Sequence, residues 1–252
     1  MANGELFMQI RILFAAFVAV IGLSSTSLVA ADEPKADAEG FVSLFNGKDL
    51  TGWSGLPDYW TVKDGVISGH ETKEKSKQTF LVYEKPVKDF ELRLSFKFAP
   101  VKDKVDGNSG IQFRSKVLNE KSFVVGGYQA DFDGSNGYTG IIYDEAGVAG
   151  GRGIMSKRGE KTHYMADGKK PMTSKLEMSD AELKKAIKVG DWNDVVLSAK
   201  GNHIIYRING NVTTEMIDES PKALKEGVLA LQLHAGYTMD IQFKNIRIKR
   251  FE

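Results

Sequence analysis

The segment Phe90–Phe98 alternates without a break. Phe90, Leu92, Leu94, Phe96 and Phe98 fall on one side, and Glu91, Arg93, Ser95 and Lys97 on the other. Period-two alternation places its apolar set on a single face of a half-buried strand. Val195–Ile217 reads as three further strands, with turns at Gly201-Asn202 and Asn209-Gly210. The second pair predicts a two-residue hairpin, because both positions tolerate positive φ. Val228–His234 and Met239–Phe251 supply two more strands. In the last, the apolar phase moves from Met239, Ile241 and Phe243 to Ile246 and Ile248. Such a phase change predicts a bulge near Lys244-Asn245.

One helix is predicted. Ser179-Asp-Ala-Glu182 is a capping box, Leu183, Ala186 and Ile187 form an apolar stripe, and Gly190 is placed to close the C-terminal end. The stretch from Gly134 to Glu177 has weak periodicity and is Gly-rich up to Gly151. It is expected to form long loops, which in compact domains commonly carry function. Many short strands, one short helix and regular turn signals define an all-β chain: a sandwich of two antiparallel sheets.

The N-terminal segment follows a different logic. Ile10 and Ile12–Leu23 form an apolar run of about a dozen residues, against the roughly 20 needed to span a bilayer. Small residues and Val29-Ala30-Ala31 follow. The pattern predicts a signal peptide over residues 1–31, a flexible leader over 32–39 and a single domain over 40–252. The mature chain is then expected in the periplasm or outside the cell, without membrane insertion.

Composition removes several classes of chemistry. With 34 Lys and Arg against 33 Asp and Glu, the formal charge is +1, and a nucleic-acid partner is not expected. The absence of cysteine excludes a disulfide scaffold and a thiol nucleophile. No Gly-x-Ser-x-Gly elbow is present, which argues against a serine esterase. The Glu-x-Asp-x-x-Glu strand of two-carboxylate jelly-roll glycosidases is also missing. His70 and His163 have no partners at metal-ligand spacing, and Asp103, Asp106 and Asn108 lack the ordered spacing of an EF-hand. Neither a metal nor an organic cofactor is expected.

Three strands carry an unusual polar face. Opposite Ile111 and Phe113 stand Gln112 and Arg114; within Tyr128–Phe132 stand Gln129 and Asp131; within Leu231–His234 stand Gln232 and His234. Side chains two apart share a face, so each strand offers one amide and one ionisable group. Amides and guanidinium groups give directional hydrogen bonds, and Asp and His can move protons. If these strands are neighbours, they form a surface suited to a neutral, polyhydroxylated ligand. A buried structural network is the competing explanation.

The chain resembles the 3-keto-disaccharide hydrolase domain family. The likeness runs in order through Phe41–Trp53 (FVSLFNGKDLTGW), Trp60–Gly65 (WTVKDG), Asp89–Leu92 (DFEL), Asn108–Arg114 (NSGIQFR) and Gly127–Asp131 (GYQAD). It continues through Gly140–Glu145 (GIIYDE), Asp191–Asn193 (DWN), Ile208–Gly210 (ING), Leu231–His234 (LQLH) and Phe243–Arg247 (FKNIR). The resemblance implies a concanavalin A-like jelly roll whose concave sheet holds a carbohydrate, and cleavage of glycosides oxidised to a ketone at C3. Many relatives carry Glu where this chain has Gln129, and Gln near Asp131, so amide and carboxylate are exchanged.

A C3 ketone acidifies the C2 hydrogen, and β-elimination followed by addition of water completes net hydrolysis. That route needs a base, an oxyanion stabiliser and an acid. Asp131 is the expected base, Arg114 with Asn108 the stabilisers, and His234 or Tyr143 the acid. Gln112, Gln129 and Gln232 are expected to orient hydroxyls, with Asp144, Glu145 and Arg152 in a loop over the site. A non-catalytic carbohydrate-binding module would use the same face without chemistry.

Overall fold

The computed structural model describes residues 35–251; the expected signal peptide lies outside them. Two sheets face each other. The ten-stranded sheet runs Met172–Lys175, Glu160–Tyr164, Asn211–Asp218, His203–Ile208, Asn193–Lys200, Phe90–Ala99, Met239–Arg250, Val66–Glu71 and Trp60–Lys63, with Val42–Ser43 added beside Met239–Arg250. The seven-stranded sheet runs Ile154–Ser156, Ile142–Glu145, Val124–Asp133, Asn108–Asn119, Val228–Leu233, Thr79–Tyr83 and Trp53–Ser54. Pairing is antiparallel except between Glu160–Tyr164 and Asn211–Asp218, which run parallel.

The core lies where the alternation puts it. Phe90, Leu92, Leu94, Phe96 and Phe98 are all buried, as are Ile111, Phe113, Tyr128, Ala130 and Phe132 from the opposite sheet. Phe96 and Phe132 stack with ring centroids 4.1 Å apart, joining the two layers. Trp53 and Trp60 are buried, while Trp192 is half-buried beneath the ammonium groups of Lys97 and Lys244. Asn209 and Gly210 adopt φ of 51° and 82°, the turn their sequence demands. The bulge in the last strand falls between Lys244 and Arg247, with Asn245 at φ 57°.

Three expectations need revision. The helix Asp180–Ala186 has the predicted capping box at Ser179, but Ile187 already turns extended and becomes buried. Gly190 takes its positive φ in the turn beyond rather than at the helix end. The region expected to be long loops contains strands Ile142–Glu145, Ile154–Ser156, Glu160–Tyr164 and Met172–Lys175. These are too short to show periodicity, yet they extend both sheets. Finally, the end of the leader is attached to the domain. Asp37 Oδ1 accepts from the Glu39 and Phe41 amides, and Arg93 and Arg247 pair with Glu39 and Asp37. Among the described residues, no helix is long and apolar enough to cross a membrane.

Candidate functional site

The three polar strands are adjacent. Val124–Asp133 pairs with Asn108–Asn119, which pairs with Val228–Leu233. Because Ile111, Tyr128, Ala130, Phe132 and Leu231 face the core, Gln112, Gln129, Asp131 and Gln232 share the sheet's other face. Ile142–Glu145 adds Tyr143 and Glu145 to that face, since Tyr143 is the register partner of Gln129 and Glu145 of Gly127. His234 follows at the end of Val228–Leu233.

These groups surround a hollow of about 380 Å³ lined by Asn108, Gln129, Asp131, Tyr143, Glu145 and His234, with Tyr138, Ala146, Ile154 and Tyr237 around them. Its volume falls in the roughly 300–1,000 Å³ range of small-molecule sites. Larger hollows of about 580 and 620 Å³ lie elsewhere, but neither is lined by the polar side chains of these strands.

A directed chain of amides underlies the hollow. Ser115 Oγ donates to Gln112 Oε1 (2.7 Å), and Gln112 Nε2 donates to Gln129 Oε1 (2.5 Å). Gln129 Nε2 then donates to Asp131 Oδ1 (2.9 Å) and Gln232 Oε1 (3.2 Å), and Gln232 Nε2 reaches Glu145 Oε2 (3.5 Å). Gly110 makes room for this chain, because a Cβ there would stand 2.5 Å from Gln129 Cγ. Gln112 and Gln232 are 0% exposed and do not line the hollow. Their register partners are Ala230 and Phe80, part of an apolar cluster with Val82, Val125 and Phe123. The hairpin after Asn119 reaches this cluster, where Thr79 Oγ1 donates to the Ser122 carbonyl (2.9 Å). Gln112 and Gln232 therefore brace other groups, and neither side chain opens onto the hollow where the sequence reading placed them.

Asp131 is 5% exposed and braced by Gln129. Burial drives its carboxyl well above the usual carboxylate range, with the Gln129 amide opposing and Asp133 and Glu145 adding to the rise. Glu145 is also raised, first by burial, with His234 and the amides of Gln78 and Gln232 pulling it back. His234 Nδ1 lies 2.7 Å from the Ala235 carbonyl, an acceptor only. Nδ1 therefore carries a proton, and Nε2 is the ring nitrogen left for exchange.

Three expected site residues are elsewhere. Between Gln112 and Ser115 the strand takes three steps where its neighbour takes two from Ala230 to Val228. This bulge, with Arg114 at φ 49°, resets the alternation. Ser115 takes the place on the polar face, and Arg114 turns away to bind Asp89 Oδ1 and the carbonyls of Lys88, Gly201 and Leu224. Asp144 points opposite to Tyr143 and Glu145, and its oxygens accept from the Ala149 and Arg152 amides (2.7 and 2.9 Å), closing the Gly-rich turn. The Arg152 side chain pairs with Asp218 and lies over the Tyr164 ring. Sequence reasoning also passed over Tyr138, Tyr237 and Gln78, which lie in loops with no periodic signal. Among the described residues, no group of three or more His, Asp or Glu converges as metal ligands.

Two facing antiparallel sheets form a jelly roll, with the polar hollow on the free face of the smaller one. Likeness of fold extends to a putative glycosyl hydrolase from Parabacteroides distasonis (TM-score 0.55, 20% identity, 85% of this chain and 95% of that one). It extends also to a galectin-like protein of unknown function from Bacillus subtilis (TM-score 0.53, 9% identity, 86% and 97%). The chain belongs to the 3-keto-alpha-glucoside-1,2-lyase-like domain family, whose model matches residues 40–249. It is 25% identical to a 3-keto-disaccharide hydrolase of Bacteroides thetaiotaomicron over 89% of this chain and 84% of that protein.

Proposed function

We propose that this chain is a secreted enzyme that cleaves glycosides carrying a ketone at C3 of the sugar. The observation that carries the reading is Asp131: a desolvated carboxyl, oriented by an amide, at an open hollow with a second raised carboxyl on the neighbouring strand. A carboxylate whose proton affinity is raised by burial is a stronger base, suited to removing a carbon-bound proton. In this mechanism Asp131 takes the C2 proton, and the electron pair moves toward the C3 carbonyl oxygen. The Asn108 amide is the donor that stabilises the enolate, without help from Arg114. The C1–O bond then breaks, and His234 or Tyr143 supplies the proton that the leaving oxygen takes. Water adds across the C1–C2 double bond, its hydroxyl to C1 and its proton to C2, releasing the free 3-keto sugar.

The test is incubation of purified protein with a plain disaccharide and its 3-keto counterpart, following released monosaccharide. Cleavage of the keto sugar alone, with deuterium entering C2 in D2O, is the expected result. Binding of both without turnover would assign the hollow to a carbohydrate-binding module.

A further inference from the structure

We propose that Gln78 is a positioning residue that sets the protonation of Glu145 and ties it to the turn carrying His234. Within the reaction, this role rests on the proposed function; the bond geometry does not. Gln78 precedes the strand Thr79–Tyr83 and ends a strap that begins after Glu71. The strap is fastened at several points to the turn after His234. Lys73 N donates to Thr238 Oγ1 (3.3 Å), Gly236 N to Ser76 Oγ, and Ala235 N to Gln78 Oε1 (3.3 Å). Glu71 holds the strap from below by accepting from Lys77 N (2.5 Å).

The two ends of the Gln78 amide are not interchangeable. A backbone N–H can only donate, so the amide oxygen must face Ala235 and the nitrogen must face Glu145. Nε2 lies 3.1 Å from Glu145 Oε1, and an amide nitrogen can only donate there. Gln78 thus requires a lone pair on Oε1 and favours the carboxylate form against the burial that disfavours it. Other groups facing Glu145 act on the same equilibrium. His234 across the hollow lowers its proton affinity, Asp144 on its own strand raises it, Asp131 on the neighbouring strand repels its negative charge, and Gln232 donates to the other oxygen. Among the described residues, Gln78 alone bonds both Glu145 and the turn that follows His234.

The decisive measurement is an NMR titration of the 13C-labelled Glu145 carboxyl in the wild-type protein, Gln78→Met and Gln78→Glu, with no substrate. Both variants should titrate at higher pH than wild type, and Gln78→Glu further, because a second carboxylate replaces the donor. Coincident curves in variants that retain the wild-type fold would overturn the proposal. If one variant fails to fold, the other still gives the comparison. With a 3-keto disaccharide, Gln78→Met should lower kcat roughly 10–100-fold with little change in KM. An inactive wild type would count against the proposed function, while the carboxyl titration would still decide the role of Gln78.

Discussion

Nη2 of Arg114 lies 2.7 Å from Oδ1 of Asp89, and the arginine side chain is 1% exposed. That pair, with three carbonyl contacts, joins the loops around Lys88, Gly201 and Leu224 away from the polar hollow. Arg114→Met should destabilise the protein by about 3 kcal/mol, since it removes the cation paired with half-buried Asp89 and the donor to three part-buried carbonyls. Urea denaturation would measure this. The turnover per folded molecule at low temperature should stay near wild type. A selective loss of turnover with unchanged stability would return Arg114 to the catalytic machinery.

Asp131→Asn separates chemistry from folding. Asparagine keeps an oxygen for the Gln129 amide but cannot take a proton, so cleavage of a 3-keto disaccharide should fall by at least 10²-fold. Stability should move the other way. The Asp131 carboxyl is raised in the folded state, so the native protein binds more protons than the unfolded chain across the interval between the two pKa values. Stability from this group is complete below the unfolded carboxylate range and is lost as pH rises through the folded value. The Tm of Asp131→Asn should therefore exceed wild type near neutrality, with the difference closing toward pH 4. A constant difference would contradict the raised carboxyl.

The strands, their hairpin and the final bulge were legible because alternation records which face is buried. Asn209-Gly210 and the Ser179 capping box were legible because each demands a local geometry. The bulge at Arg114 was not. No glycine or break in apolar phase marks it, and its left-handed residue is a long side chain held by tertiary partners. Asp144 and Glu145 read in sequence as one covering loop, yet adjacent strand residues face opposite ways, so only Glu145 reaches the hollow. Gln112 and Gln232 were placed on the right face. Nothing in their own strands says that the neighbouring hairpin would help close one end of it.

Gly110 tests whether the amide chain needs its space. It is the register partner of Asp131, and an added Cβ would stand 2.5 Å from Gln129 Cγ and 2.6 Å from its Cδ. Gly110→Ala should cost about 1–3 kcal/mol by overpacking and displace the Gln129 amide from Asp131. Thermal unfolding and the Gln129 side-chain amide resonances would report the two effects. Unmoved resonances would mean that the backbone yields in place of Gln129.

The amide chain has a direction, and that direction predicts an ordering of variants at Gln112. Its oxygen accepts from Ser115 and its nitrogen donates to Gln129 Oε1, so Gln129 must present nitrogen to Asp131. Gln112→Met removes both bonds without opposing Gln129, and should cost about 1–3 kcal/mol for the polar groups left unpaired. Gln112→Glu keeps the Ser115 bond but sets oxygen against Gln129 Oε1, at a position with no exposure to water. Either the new carboxyl takes a proton or Gln129 flips and turns its oxygen toward Asp131, and both carry a desolvation cost. The glutamate variant should therefore be less stable than the methionine variant at pH 7. The gap should narrow at acid pH, where a protonated carboxyl can donate to Gln129 as the amide did. Chemical denaturation of both variants at pH 5 and 7 checks the ordering; equal stability at both values would mean that the amides have no preferred orientation.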